Sequence, residues 1–297
     1  MNGDVVAPIK DVVRAIVPRS VRNWLRSPSR TSEWLWDSAK FSLGVRKTVQ
    51  LAPDWSMVCH PRVYKAAQAY QVSDPEQREE YRNFISYCSA DMLLFDAGAH
   101  FGIFSVAAAC LGGRSVALDP SAIATRMIAI QARLNHCEDR IKIVRAAVSD
   151  KNGVMRLLSS GVFTLGFLRV TSGRPARELT SVPSLSIDHL TQQYGPPTHI
   201  KVDVEGHEAT VLRGARETLT RHSPVLFLEL HNELVASEGG DPSAVLDDLS
   251  GLGYCLFALS GQAIERSAIL EKTIIRVVAR KTATGGNRPD IPEEPNL

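Results

Sequence analysis

Met92-Leu-Leu-Phe-Asp-Ala-Gly-Ala-His-Phe-Gly-Ile-Phe-Ser105 is the stretch on which the fold turns. An apolar run ends on Asp96, glycines follow at 98 and 102, and small residues (Ser105, Ala107, Ala108, Ala109) open a helix. That order reads as a buried strand, a tight turn and a helix packed close on the strand. Gly98 lets a ligand approach the backbone because no Cβ intervenes, and Gly102 lets the helix close on the strand. Asp96 falls at a strand's carboxyl end, where open α/β sheets place their ligands. A carboxylate there can pair with an ammonium or accept hydrogens from hydroxyls. A plain strand-to-helix turn capped by Asp96 accounts for the same residues. The spacing is Asp-x-Gly-x-x-x-Gly, not the Gly-x-Gly-x-x-Gly of dinucleotide enzymes, and Asp96 would repel a pyrophosphate.

Beyond this turn, apolar runs at 92–95, 115–118, 141–144, 200–204 and 225–230 alternate with helical stretches. Strands alternating with helices imply right-handed crossovers and a doubly wound, mostly parallel sheet. Residues 153–187 interrupt the alternation as a β-ribbon, with strands at 154–158 and 163–170 around Ser159-Ser160-Gly161. Runs at 254–259 and 273–279 predict an antiparallel pair at the sheet edge. Upstream, Asp74-Pro75-Glu76 predicts a capped helix start running to Tyr87. Residues 31–72 mix Trp34, Trp36, Phe41 and Trp55 with polar residues and no long period. The reading divides the chain into an N-terminal extension (1–72), an α/β domain (73–281) and a polar, proline-bearing flexible tail (282–297).

Acids recur at the predicted strand ends. Asp119 closes the second strand in Ser115-Val-Ala-Leu-Asp119-Pro120-Ser121, 23 residues after Asp96. One carboxylate there can accept hydrogen bonds from both hydroxyls of a ribose. Asp119-Pro120 also reads as a helix N-cap with proline at the first helical position. After the third strand, Ala146 and Ala147 leave room for a flat ring. The fourth strand ends in Lys201-Val-Asp203-Val-Glu205-Gly206-His207-Glu208. So many polar groups are costly in a core and suited to a pocket, although Glu205 and Glu208 could also favour a helix start. Glu229 and His231 repeat the theme in Val225-Leu-Phe-Leu-Glu229-Leu-His231. Asp203, Glu205 and Glu229 could hold a divalent cation or serve helix starts, and no metal ligand is assigned from the pattern.

The 297 residues, 44% hydrophobic and 22% charged, exclude a disordered chain, a fibre and a small disulfide scaffold. A net charge of +2 gives no electrostatic ground for a nucleic-acid partner, and none is expected. Residues 5–30 are basic and amphipathic, with Ile9, Val12, Val13, Ile16 and Val17 at helical spacing. Such a helix either docks on the protein or makes a peripheral membrane contact. Five scattered cysteines without a Cys-x-x-Cys pair fit a reducing compartment. With no secretory apolar region at the N-terminus, a cytoplasmic protein is expected.

The order Phe-Asp-Ala-Gly-Ala-His-Phe-Gly, Ala-Leu-Asp-Pro, Ala-Val-Ser-Asp, Ser-Ile-Asp188-His-Leu, Ile-Lys-Val-Asp-Val-Glu-Gly-His-Glu and Phe-Leu-Glu-Leu-His resembles the FkbM-type S-adenosylmethionine-dependent methyltransferases. The resemblance covers roughly 92–233, and Lys-Val-Asp-Val-Glu-Gly-x-Glu is its most specific part. It implies a Rossmann-like class I methyltransferase fold, seven strands with a C-terminal antiparallel hairpin. It also implies O-methylation of a small-molecule or glycan acceptor, a sugar or polyketide hydroxyl. It places Asp96, Gly98, Ala99 and Gly102 at the methionine part of the cofactor, with His100 where the family usually has Asn. Asp119 takes the ribose, Ala146 and Ala147 lie near adenine, and Asp203 sits beside the transferring methyl. Asp203, His207 and His231 are the candidate bases. The rival readings are a nicotinamide-dependent oxidoreductase and a non-catalytic scaffold that uses its basic N-terminal helix to bind a membrane or a partner.

Overall fold

The apolar runs become the central strands of a seven-stranded sheet in the computed structural model, which describes residues 30–159, 168–169, 179–237 and 239–281. Helix α1 (Arg30–Ser42) precedes a hairpin of β1 (Lys47–Ala52) and β2 (Trp55–Cys59), then α2 (Pro61–Gln68) and α3 (Pro75–Tyr87). The first half of the sheet is β3 (Leu93–Ala97), α4 (Ile103–Cys110), β4 (Arg114–Leu118), α5 (Ala122–Leu134) and β5 (Ile141–Val144). A smaller sheet follows, from β6 (Ala147–Val148), β7 (Gly153–Ser159), β8 (Leu168–Arg169) and β9 (Leu179–Leu185). The second half begins with α6 (Ile187–Tyr194), β10 (His199–Val202), α7 (Glu208–Arg213), α8 (Arg216–His222) and β11 (Val225–Leu230). It closes with α9 (Asn232–Ser237), α10 (Ala244–Gly251), β12 (Tyr254–Phe257), α11 (Arg266–Leu270) and β13 (Ile275–Lys281).

The strand order is β5-β4-β3-β10-β11-β13-β12, and β13 runs antiparallel to both of its neighbours. Dinucleotide-binding sheets keep six parallel strands in the order 3-2-1-4-5-6. The antiparallel strand inserted between β11 and β12 therefore takes the fold away from the nicotinamide reading. From β3 the chain steps outward through β4 to β5, then returns to β10 on the other side of β3. That reversal makes the carboxyl end of β3 the topological switch point, where ligands of such sheets bind.

Alternation along the strands builds a core on each face. Leu94 and Ala117 join one core with Phe84, Phe104 and Ile128, while Phe95, Val116 and Leu118 join the other with Ile187, Leu190 and Leu219. Val49 and Met57 of the hairpin and Val63 of α2 belong to the first core, and Trp55 packs against it. The division read between residues 72 and 73 does not coincide with a break in packing. Each fully buried side chain of this size contributes about 1.5–3 kcal/mol relative to exposure, and the hairpin and α2 share their core with the helices over that face of the sheet.

Helix α3 starts as its sequence predicts: Asp74 Oδ1 accepts from the amides of Glu76 and Gln77 at 3.0 and 3.1 Å. The Asp119 cap is corrected. Ser121 caps α5, its Oγ accepting from the Ala124 amide at 3.3 Å, because extended backbone at Ser121 delays the helix by two residues. The ribbon gains a partner that the sequence reading did not offer. Among the described residues β7 pairs antiparallel with β9 from Gly153↔Ser184 to Leu158↔Leu179 and with β8 at Leu158↔Arg169 and Ser159↔Leu168. Val182 of β9 buries against Leu157 and Ala147, but Pro183 disguises that strand in the sequence. The basic segment 5–30 and the tail 282–297, apart from Arg30, lie outside the described residues, as does most of the expected strand 163–170. No helix among the described residues is long and apolar enough to cross a membrane.

Candidate active site

Three strand tips are tied together at the switch point. The amides of Gly98 and Ala99 both donate to the Leu118 carbonyl at 2.9 Å, and the Asp203 amide donates to the Ala97 carbonyl at 3.0 Å. Gly98 holds a φ of +85°, and a Cβ there would collide with the Asp203 carbonyl. Only glycine lets the turn after β3 sit this close to the tip of β10. Asp119 locks the same turn to β4: its Oδ2 accepts from the His100 amide at 3.0 Å and its Oδ1 from the Ser121 amide at 2.8 Å. Burial pushes the Asp119 carboxyl up to about 7, against the pull of those two amides, with Asp96 and Asp203 adding to the rise.

A crevice opens over these tips. Gly98, His100, Asp119, Ala146, Ala147, Asp203 and His207 line it, together with Glu205 and an apolar wall that includes Val148, Met155 and Leu157. Burial holds His100 down at about 4 and hence neutral, and its Nε2 is buried without a hydrogen-bond partner. Asp96, Ala99, Gly102 and His231 do not line the crevice. Asp96 is buried and receives the Ser105 hydroxyl at 2.6 Å, which ties β3 to α4. Gly102 begins α4 with a φ of +74°, and a Cβ there would press on Ile128 at 3.0 Å.

The sequence reading did not single out Lys201, which lies buried beside Asp96 in the β3–β10 register. Its Nζ is 3.1 Å from Asp203 Oδ2 and 4.0 Å from Glu80 Oε1, and it stands 4.7 Å from the centre of the Phe104 ring. Burial by itself lowers a lysine, but Asp203, Glu80 and Glu229 hold this one well above its usual range. Burial by itself raises Asp203, but the charge and hydrogen bond of Lys201 hold its carboxyl below the usual range. The signal was a lysine between Ile200 and Val202 inside a strand too apolar to solvate it. Arg276 of β13 extends the network, contacting Glu229 Oε1 at 2.6 Å and Glu80 Oε2 at 3.1 Å.

Glu208 also has a place that local reading missed. It is wholly buried, and its Oε1 accepts from the Gly206 amide at 3.0 Å and lies 2.8 Å from His231 Nδ1. Ahead of it, Glu205 sits in the left-handed region at φ +54°. Such strain costs about 1–3 kcal/mol in a residue other than glycine and gathers at functional sites.

An adenosyl cofactor suits this donor set. Asp119 keeps lone pairs beyond its two amide bonds for a diol, the Val148–Leu157 wall is apolar enough for a flat ring, and unpartnered His100 Nε2 stands ready for a polar contact. The fold and crevice together define the class: an S-adenosylmethionine-dependent methyltransferase fold of class I. A family model described as Methyltransferase FkbM domain matches residues 96–256, more than half of the chain. The chain belongs to the FkbM methyltransferase family, and its cofactor is S-adenosylmethionine. No curated protein matches it.

Among solved structures it is similar to the FkbM methyltransferase of Methylobacillus flagellatus KT, at 16% identity and a TM-score of 0.44. That match covers 74% of this chain and 54% of the other, so the chain spans about half the length of that relative. An O-methyltransferase from Bacillus cereus in complex with SAH is similar at 13% identity and a TM-score of 0.43, over 74% of this chain and 88% of that one. Precorrin-6y C5,15-methyltransferase from Geobacter metallireducens GS-15 is similar at 12% identity and a TM-score of 0.42, over 71% and 92%.

Proposed function

We propose that this chain moves a methyl group from S-adenosylmethionine to a hydroxyl oxygen on a small-molecule or glycan acceptor, a sugar or polyketide hydroxyl. The observation that carries the reading is the meeting of Asp119 and Asp203, from strands on opposite sides of β3, in one crevice with Gly98 between them. The cofactor supplies, when bound, a methyl already activated by a positively charged sulfur. Asp119 accepts the ribose hydroxyls, and Ala146, Ala147 and Val148 flank the adenine. Gly98 and His100 face the methionine part, while Asp96, Ala99 and Gly102 shape the turn from behind. Asp203, kept ionised by Lys201, presents negative charge to the sulfonium side of the crevice.

In-line transfer asks the protein mainly to hold oxygen, carbon and sulfur close and collinear, and orientation of this kind contributes about 7–11 kcal/mol. The hydroxyl must also lose its proton, and a positioned base contributes roughly 10²–10⁴-fold. Asp203 is a weak base because its carboxylate is already stabilised by Lys201. His231 stands behind the crevice wall against Glu208. His207, half-buried on the lining itself, takes the proton.

Calorimetry with S-adenosylhomocysteine tests the donor half: the wild-type chain binds it and Asp119→Ala binds it at least tenfold more weakly. Wild-type affinity in Asp119→Ala removes the ribose assignment, and a wild-type chain that binds no adenosyl ligand removes the reading. Purified protein offered glycans, lipids and polyketides with a labelled methyl donor tests the acceptor half.

A further inference from the structure

A second constellation adjoins the crevice. His231 is buried, and Nδ1 faces the Glu208 carboxylate at 2.8 Å. A carboxylate on Nδ1 fixes the proton there and turns Nε2 toward the acids on the other side, where a cation would take Nε2 in exchange for its proton. Nε2 stands 3.6 Å from Glu205 Oε2 and 3.8 Å from Glu229 Oε1, too long for hydrogen bonds. Arg276 holds Glu229 by that same Oε1 at 2.6 Å. Glu205 and Asp203 face the imidazole from the crevice side, Asp203 with its Oδ2 also on Lys201 at 3.1 Å. One ligand atom from each of Asp203, Glu205 and His231 lies within 4.8 Å of the others.

We propose that Asp203, Glu205 and His231 bind a divalent transition-metal cation of the Mn²⁺ or Zn²⁺ type, and that Glu208 is the positioning residue for the imidazole. Ligands about 2.1 Å from one ion lie roughly 3.0–3.5 Å from their neighbours, so a small closing movement completes the set. A histidine ligand usually donates its other ring N–H to a carboxylate, the relation that Glu208 and His231 already have. One imidazole with two carboxylates favours Mn²⁺ or Zn²⁺ over the all-oxygen cations Mg²⁺ and Ca²⁺. The trio that the geometry brings together differs from the carboxylate set legible in the sequence in having His231 in place of Glu229. Asp203 and Glu205 both line the crevice, so the open side of the site faces the space proposed for the acceptor hydroxyl. A cation there polarises that oxygen. Only this last role rests on the proposed methyl transfer.

The test is titration of Mn²⁺ into the chelator-treated full chain, followed by the free-ion signal in electron paramagnetic resonance. The wild type is expected to bind one Mn²⁺ that Zn²⁺ displaces, with spin-echo modulation from a directly bound nitrogen. Glu205→Gln, on the crevice surface, and His231→Gln should weaken binding at least tenfold, and His231→Gln should lose the nitrogen modulation. Glu208→Gln should weaken binding by about 10–100-fold with a smaller nitrogen modulation, while a thermal melt shows it folded. A free Mn²⁺ signal undiminished by the wild type, or equal binding by folded Glu205→Gln, overturns the site. Calorimetry of S-adenosylhomocysteine on the same wild-type sample separates the two readings. Donor affinity without Mn²⁺ binding overturns the cation site alone, and Mn²⁺ binding without donor affinity supports the site while removing the methyl-transfer reading.

Discussion

Lys201 Nζ lies 3.1 Å from Asp203 Oδ2, two residues further along the chain, and this pair links the buried centre of the sheet to the crevice wall. The link continues inward, since Lys201 is 4.0 Å from Glu80 and Arg276 joins Glu80 to Glu229 at 3.1 and 2.6 Å. The two cations sit among acids contributed by α3, β11 and the tip of β10. A carboxylate at the crevice thus owes its ionised state to a group outside the crevice lining.

Replacing that lysine should unsettle the fold before it touches any chemistry. Lys201→Met leaves Glu80 and Asp203 short of a counter-charge, and removing one partner of a buried ion pair costs about 3–5 kcal/mol. Urea denaturation should register that loss, and Lys201→Met/Glu80→Gln should recover part of it because one orphaned charge is gone. A single variant as stable as the wild type would show that the network contributes nothing.

Gly98 carries a steric prediction. At φ +85° with the Asp203 carbonyl in the way, Gly98→Ala must push apart the ends of β3 and β10. The expected loss exceeds about 2 kcal/mol, from backbone strain and overpacking together. Gly251→Ala is the control: a Cβ there meets nothing within 4 Å, so its effect should stay within about 0.5 kcal/mol. Equal denaturation midpoints for the two variants would contradict the close approach.

The sheet was legible because its central strands are buried on both faces and stand out as apolar runs between helical stretches. The capped start of α3 was legible because every residue that makes it lies within four positions. Asp119, Asp203 and the glycine turn were legible as polar or conformationally free residues at the ends of apolar runs. What escaped depended on distant partners. Lys201 stands out in the sequence only as a lysine in an apolar strand, and its partner Glu80, more than a hundred residues earlier, is brought beside it by the fold. Glu208 reads as an acid in a first helical turn, and only the return of the chain through β11 brings His231 to it. The β1–β2 hairpin and β9 are short or proline-bearing, and the surfaces they bury belong to other elements.

Asp119 sets a pH dependence. Its folded carboxyl is raised by burial to about 7, above the roughly 3.9 of an unfolded aspartate. Between those values the folded chain binds more protons than the unfolded one, so this group's contribution to stability falls as pH rises from about 4 to about 7. Ligand affinity should move the other way, because the ionised carboxylate accepts from both ribose hydroxyls. Calorimetry with S-adenosylhomocysteine should find affinity dropping by up to about tenfold for each pH unit below about 7. In Asp119→Asn that slope should vanish. A slope that persists in Asp119→Asn would assign the titration to another group.

The correction at the start of α5 yields a last prediction, since it separates two roles that the Asp119-Pro120-Ser121 sequence runs together. Ser121 Oγ, at 3.3 Å from the Ala124 amide, is the helix cap, and Asp119 meets only amides on either side of the crevice. Ser121→Ala should therefore cost about 1 kcal/mol of stability, the usual loss of a capping hydroxyl. Its affinity for S-adenosylhomocysteine should change less than about threefold. Asp119→Asn should show the opposite balance: at least tenfold weaker ligand binding, with the α5 cap intact. A shared profile, in which both variants lose stability and affinity in proportion, would mean that Asp119 matters to the ligand only through the helix it precedes. Chemical denaturation and calorimetry on the two variants, measured side by side above about pH 7.5 where the wild-type carboxylate is mostly ionised, decide between these outcomes.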